Sequence, residues 1–140
     1  MRVATQKSAE ARAIPLYDGG VVTSRPADAA SVYAARARAD ALVAALSEAG
    51  HAVSRAGGEV QGVPDLSDAV ERQGVWDAMF ALSLAEMLIT GWSGVVAENG
   101  EALEFRSDRV VHLMRDARAA DLYVGQILEP ERRKAAEKKS

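Results

Sequence analysis

A mainly α domain with small β-hairpins (α+β), compact around one central apolar helix, is the architecture this sequence predicts. Three observations predict it. From Val75 to Ile89 apolar residues fall on nearly every helical face, and a helix that is apolar all round is covered on most sides. Between Ala29 and Ala49, Val32, Ala35, Ala39, Leu42, Val43 and Leu46 recur at three- and four-residue spacing and make one apolar stripe. Short β-capable runs flank Asp18-Gly19-Gly20 and Asn99-Gly100, the residue types that tight hairpin turns require.

The elements follow in order. Residues 1–11 are polar and are expected to be loosely held. Ala13 to Tyr17 and Val21 to Arg25 read as a hairpin, with Pro15, which lacks an N–H, suited to an edge strand. Asp28 is the expected N-cap of a helix over Ala29 to Ala49, with Gly50 as its stop. His51 to Pro64 is rich in Gly and has no helical period. Ala52-Val53-Ser54 and Glu59-Val60-Gln61 form either a weak second hairpin or a flexible loop. Asp65 or Ser67 caps the central helix, which is expected to run to Thr90 and stop at Gly91. Gly74 inside it costs about 1 kcal/mol relative to Ala, which a close helix contact or a local bend would explain.

Asn99-Gly100 predicts a type I′ turn, with positive φ at both residues, joining 94–96 to 102–105. Ser107 is the expected N-cap of the next helix, with Asp108 in its first turn. Asp116 caps a further helix carrying Leu122, Val124, Ile127 and Leu128, unless the helix is continuous. Residues 1–128 are thus expected to form a single globular domain, with 129–140 a charged tail.

Composition narrows the function. The chain has 140 residues, enough for one core. Hydrophobic residues make up 49% but aromatic ones only 5%, so the expected core is thin, with Trp76, Phe80, Trp92 and Phe105 as its large anchors. A net charge of −3 and a pI of about 5.4 give no electrostatic footprint for nucleic acid. The absence of cysteine removes disulfides and thiolate metal sites and points to a reducing cytoplasm. The most apolar stretch, Val75 to Val96, contains Asp77, Glu86, Gly91 and Gly94. It reads as a buried helix and turn rather than a membrane span.

Catalytic constellations are missing from the pattern. His51 and His112 have no partner at ligand spacing. Asp65/Asp68 and Glu98/Glu101 sit where acids cap helices and turns. Gly19-Gly20 and Gly57-Gly58 fit no phosphate-loop frame, and no serine sits in a GxSxG elbow. The expectation is a protein that is not an enzyme and takes no metal, cofactor or small-molecule substrate. The tail cations Arg132, Arg133 and Lys134, with Lys138 and Lys139, read as a solvated charge run or as a contact for an acidic partner.

One string is more specific. Gly91-Trp92-Ser93-Gly94-Val95-Val96 is followed by Glu98-Asn99-Gly100-Glu101-Ala102-Leu103-Glu104-Phe105-Arg106-Ser107, behind the helix bearing Val32-Tyr33-Ala34-Ala35-Arg36. Over roughly Ala13 to Leu128 this resembles the small tail assembly chaperones of long-tailed phages, prophages and phage-like gene-transfer particles. The resemblance implies a protein of the bacterial host cytoplasm. It would bind the helical tape measure protein, keep it soluble and help recruit tail tube protein, with no nucleic acid or membrane partner. Val32, Leu42, Val43 and Leu46 would line a groove for such a helix. The competing reading packs them on the central helix. A structural virion protein, such as a head–tail adaptor or tail completion subunit, is the alternative function, and a small regulatory module is a third.

Overall fold

The computed structural model describes residues 1, 11–56 and 65–129. Mainly helical architecture with a small sheet is what it holds. β1 (Arg12–Pro15) and β2 (Val21–Ser24) pair antiparallel. The turn between them centres on Asp18 and Gly19, at φ 49° and 79°, and closes with the Gly20 N–H donating to the Tyr17 carbonyl at 2.9 Å. Positive φ at both central residues matches the right-handed strand twist, and Asp tolerates it through its short polar side chain.

α1 (Ala29–Arg55) starts at Asp28, whose carboxylate accepts from the Ser31 N–H at 2.8 Å while the Ser31 hydroxyl accepts from the Asp28 N–H at 2.9 Å. The exchange satisfies orphan donors reciprocally. The helix does not stop at Gly50. A glycine ends a helix by turning left-handed, and Gly50 is not among the residues with positive φ. The chain therefore stays helical through Ala52-Val53-Ser54, which rules out a strand there. Glu59-Val60-Gln61 and Pro64 lie outside the described residues.

α2 (Ala69–Leu88) is capped by Asp68, which accepts from the Val70 N–H at 2.8 Å. Asp65 instead holds Ser67 in the turn before it. α2 ends two residues short of Thr90, because Ile89 turns extended and β3 (Ile89–Ser93) joins the sheet beside β2. The sheet order is β1-β2-β3. Arg25 supports this exit: its N–H donates to the Leu88 carbonyl at 2.9 Å and its guanidinium to the Met87 carbonyl at 2.7 Å. Those are carbonyls that a helix end leaves without partners.

Gly94, at φ 70°, follows β3. The next turn departs from the expected type I′ geometry. Gly100 has φ 84° but Asn99 is not left-handed. The loop closes as Gly100 N–H to Ala97 carbonyl and Ala97 N–H to Glu101 carbonyl, while the Asn99 side chain accepts from the Glu101 N–H. This is the three-residue hairpin with one left-handed glycine, and its arms share a single bridge, Val96 to Ala102. Ser107 caps nothing: it opens a 3-10 turn (Ser107–Arg109) with no side-chain cap bond. That turn leads into α3 (Val110–Met114). Asp116 breaks the helix and caps α4 (Ala117–Ile127), accepting from the Arg118 and Ala119 N–H groups at 3.0 Å each.

The sheet, the second half of α2, α3 and α4 enclose the core, with Ile14, Val22, Leu84, Val110 and Tyr123 at its centre. Tyr123 is its largest fully buried side chain. Its hydroxyl and that of Ser24 form a buried hydrogen bond at 2.9 Å, which lets a polar tip sit inside. The expected anchors Trp76, Phe80, Trp92 and Phe105 are only half-buried. Trp76 stacks on Phe80, with ring centroids 5.4 Å apart, and donates to Asp40. Trp92 meets Phe105 edge-on and donates to the Leu103 carbonyl. Among the described residues no helix is long and apolar enough to cross a membrane.

Candidate functional site: an apolar groove between helices

α2 is apolar nearly all round, yet only Ala81, Ser83, Leu84, Ala85 and Leu88 are buried in it. Of its other apolar side chains, Trp76, Met79, Phe80 and Leu82 are half-buried. They form the floor of an open groove of about 1300 Å³. One wall is the first half of α1, where Ala29, Val32, Tyr33 and Arg36 share a face by their three- and four-residue spacing. The other wall is α3 and α4, through Val111, Met114, Ala117, Ala120, Val124 and Leu128. Asp28, Asp77 and Asp121 stand along it with Arg36 and Arg115. Tyr33 is 66% exposed, and its ring lies 5.9 Å from the Arg36 guanidinium carbon.

Of the residues expected to line a groove, Val32 does. Val43 is buried. Leu42 and Leu46 lie farther along α1, outside the groove and 37% and 36% exposed. Arg132, Arg133 and Lys134 lie outside the described residues. Sequence reasoning missed Tyr33, Met79, Met114, Val124 and Leu128 as groove residues. The spacing of Ala117, Ala120, Val124 and Leu128 is a signal that could have found one wall, since it repeats the one-face pattern of α1.

The chemistry of this lining is adhesive rather than reactive. Aromatic and aliphatic side chains with a few rim charges can hold an apolar stripe and orient it, and they offer no nucleophile beside a base. His51 and His112 are exposed and stand outside it. Among the described residues no group of three or more His, Asp or Glu is placed to hold a metal ion.

Two tyrosines fix the walls to the sheet. The Tyr17 hydroxyl donates to Asp116, and Arg118 lies 4.7 Å from the Tyr17 ring. That hydrogen bond, followed by the one from the Ala119 N–H, holds the Asp116 carboxyl below the usual carboxylate range, and it raises the Tyr17 phenol. Burial pushes the Tyr123 phenol up to about 12, against a smaller opposing effect of the Ser24 hydrogen bond. Arg12 and Gln126 tie β1 to α4 through the Gln126 and Pro15 carbonyls, each at 2.7 Å. The α4 wall is therefore braced against the sheet. Comparison with protein-family models, with curated proteins and with solved structures finds no match for the chain.

Proposed function

We propose that this protein is a tail assembly chaperone that holds a helical segment of a tape measure protein in the groove formed by α1, α2, α3 and α4. The observation that carries the reading is the groove itself: an open, apolar trough with charged edges, the shape a helix with anchors at i, i+3, i+4 and i+7 fits. The resemblance of the Gly91–Val96 and Glu98–Ser107 strings to such chaperones supports it. A tape measure helix exposes its apolar stripe until the tube encloses it, and a groove of this kind covers that stripe meanwhile. In this reading the protein acts in the bacterial cytoplasm, helps recruit tail tube protein, and is not an enzyme. The structural virion protein, a head–tail adaptor or completion subunit, is the second reading.

The test is co-expression with a tape measure protein, followed by pull-down and measurement of soluble tape measure protein. Tyr33→Ala separates binding from folding, because the ring is 66% exposed. An aromatic hot spot of this kind is worth more than about 1 kcal/mol, so the variant should weaken binding by roughly tenfold at unchanged melting temperature. Leu42→Ala and Leu46→Ala should leave affinity unchanged. No complex, with the protein retained in finished particles, would favour the virion reading.

A further inference from the structure

We propose, independently of the groove reading above, that the outer halves of α1 and α2 form an arm that opens as a unit while the sheet, the inner halves of both helices, α3 and α4 stay folded. Burial divides both helices. On α1, Ala35, Ala39 and Val43 are buried, but from Ala44 to Arg55 no described side chain is. On α2 burial begins at Ala81, and no side chain from Ala69 to Phe80 is buried. Asp40 meets Trp76 and Arg38 meets Glu86, so the helices run antiparallel and their bare halves lie together. Leu66, in the turn before α2, is the only described side chain buried between 44 and 80. The twelve residues from Ala44 to Arg55 span about 18 Å of helix.

The arm is lightly held. α1 packs on α2 and on no other element to a comparable extent. Among the described residues the side-chain ties between α1 and α2 are Trp76 to Asp40 at 2.8 Å and Arg38 to Glu86 at 3.9 Å. Neither reaches beyond Asp40 on α1. Gly50 and Gly74 fall within the arm, one on each helix, and a Cβ at either would meet nothing within 4 Å. Neither glycine therefore serves a close contact, yet each weakens its helix about fivefold relative to Ala. Few buried apolar contacts and many solvent-exposed backbone hydrogen bonds are the marks of a unit that opens below the global unfolding free energy.

Opening has a consequence for the groove. Trp76, Met79 and Phe80, which floor it, stand on the arm. The floor is therefore complete only in the closed state, and whatever fills the groove stabilises closure. Asp40 is the clasp. It holds the Trp76 indole from α1 at the base of the arm and does not itself line the groove.

Native-state hydrogen exchange of the 140-residue chain, read by mass spectrometry at two protein concentrations about twentyfold apart, tests this. Amides of 44–55 and 72–80 should be protected at least about a hundredfold less than those of 84–88 and 120–127. Ile127→Val, in the core and outside the arm, should speed the protected set about fivefold and leave the arm set unchanged. Gly50→Ala with Gly74→Ala should slow the arm set by about tenfold or more. Asp40→Ala should speed it severalfold. Equal protection of the two sets, or a common shift in Ile127→Val, overturns the proposal, because the arm then opens only with the whole domain. Arm exchange that slows at the higher concentration also overturns it, since a second copy then covers the arm. Arm exchange indifferent to the paired alanines or to Asp40→Ala does so too, because no closed arm is then there to hold.

Discussion

Three glycines separate backbone conformation from steric contact. Gly100 and Gly94 both have positive φ, at 84° and 70°. Around Gly100 a Cβ would meet nothing within 4 Å, whereas at Gly94 it would lie 2.1 Å from the Gly19 carbonyl oxygen and 2.8 Å from its carbon. Gly100→Ala therefore faces only the left-handed penalty, about 1–2 kcal/mol. The reduced freedom of its unfolded chain returns about half a kcal/mol or more, leaving a net loss of about 1 kcal/mol. Gly94→Ala carries the same loss plus an overlap with main chain that cannot rotate away. Relieving it means moving the β1–β2 turn, and overpacking of this kind costs about 1–3 kcal/mol more.

Gly74 is the control, since it sits within α2 with nothing within 4 Å of its would-be Cβ. Gly74→Ala should stabilise by about 1 kcal/mol. At roughly 4 °C per kcal/mol for a chain of this size, thermal melts followed by circular dichroism should rank Gly74→Ala above wild type. Gly100→Ala should fall a few degrees below it and Gly94→Ala roughly 8–16 °C below. Equal losses at Gly94 and Gly100 would refute the contact between residue 94 and the first hairpin. A loss at Gly74 would reveal packing on that face of α2.

The other predictions concern the core, the wall and the partner. Because the folded Tyr123 phenol keeps its proton up to about 12 while an unfolded one ionises near 10, stability is intact below pH 10. It should drop by about 2–3 kcal/mol between pH 10 and 12, and Tyr123→Phe should flatten that limb in alkaline urea melts. Asp116 titrates below its ordinary value, so its contribution is present at neutral pH and lost as pH falls through the lowered value. Asp116→Asn, which retains a cap, should melt with a shallower dependence on pH between 5 and 2. Tyr123→Ala should cost about 3–5 kcal/mol, and Trp76→Ala, half-buried on the groove floor, only about 1–2 kcal/mol, as read from denaturant midpoints. Tyr33→Ala should spare the fold and weaken helix binding, as measured by pull-down.

The first hairpin was legible because its chemistry is local: Asp18 and Gly19 are residues that tolerate left-handed backbone, and each flanking run is short and β-capable. The cap of α1 at Asp28 and that of α4 at Asp116 were legible for the same reason. What the sequence misplaced were ends decided by tertiary partners. Gly50 permits a stop but does not impose one, and α1 runs past it to Arg55. Ile89 to Ser93 fits the end of an apolar helix equally well until β2 offers it a strand partner. Asn99-Gly100 fits two turn types, and the Ala97 and Glu101 pairing selects the longer loop.

The groove was half legible, and the missing half follows from how burial is divided. Apolar residues on nearly every face from Val75 to Ile89 imply cover on most sides. But α1 approaches α2 through alanines at 35 and 39, and α4 turns its largest side chain, Tyr123, toward the sheet at Ser24. Neither helix then closes over Met79 and Phe80. A chain with seven aromatic residues would be expected to sink all of them, since each buries 150–250 Å². Leaving Tyr33, Trp76 and Phe80 along one open trough forgoes core stabilisation that a small domain can ill spare. Such an arrangement makes physical sense where the apolar face is completed by another molecule.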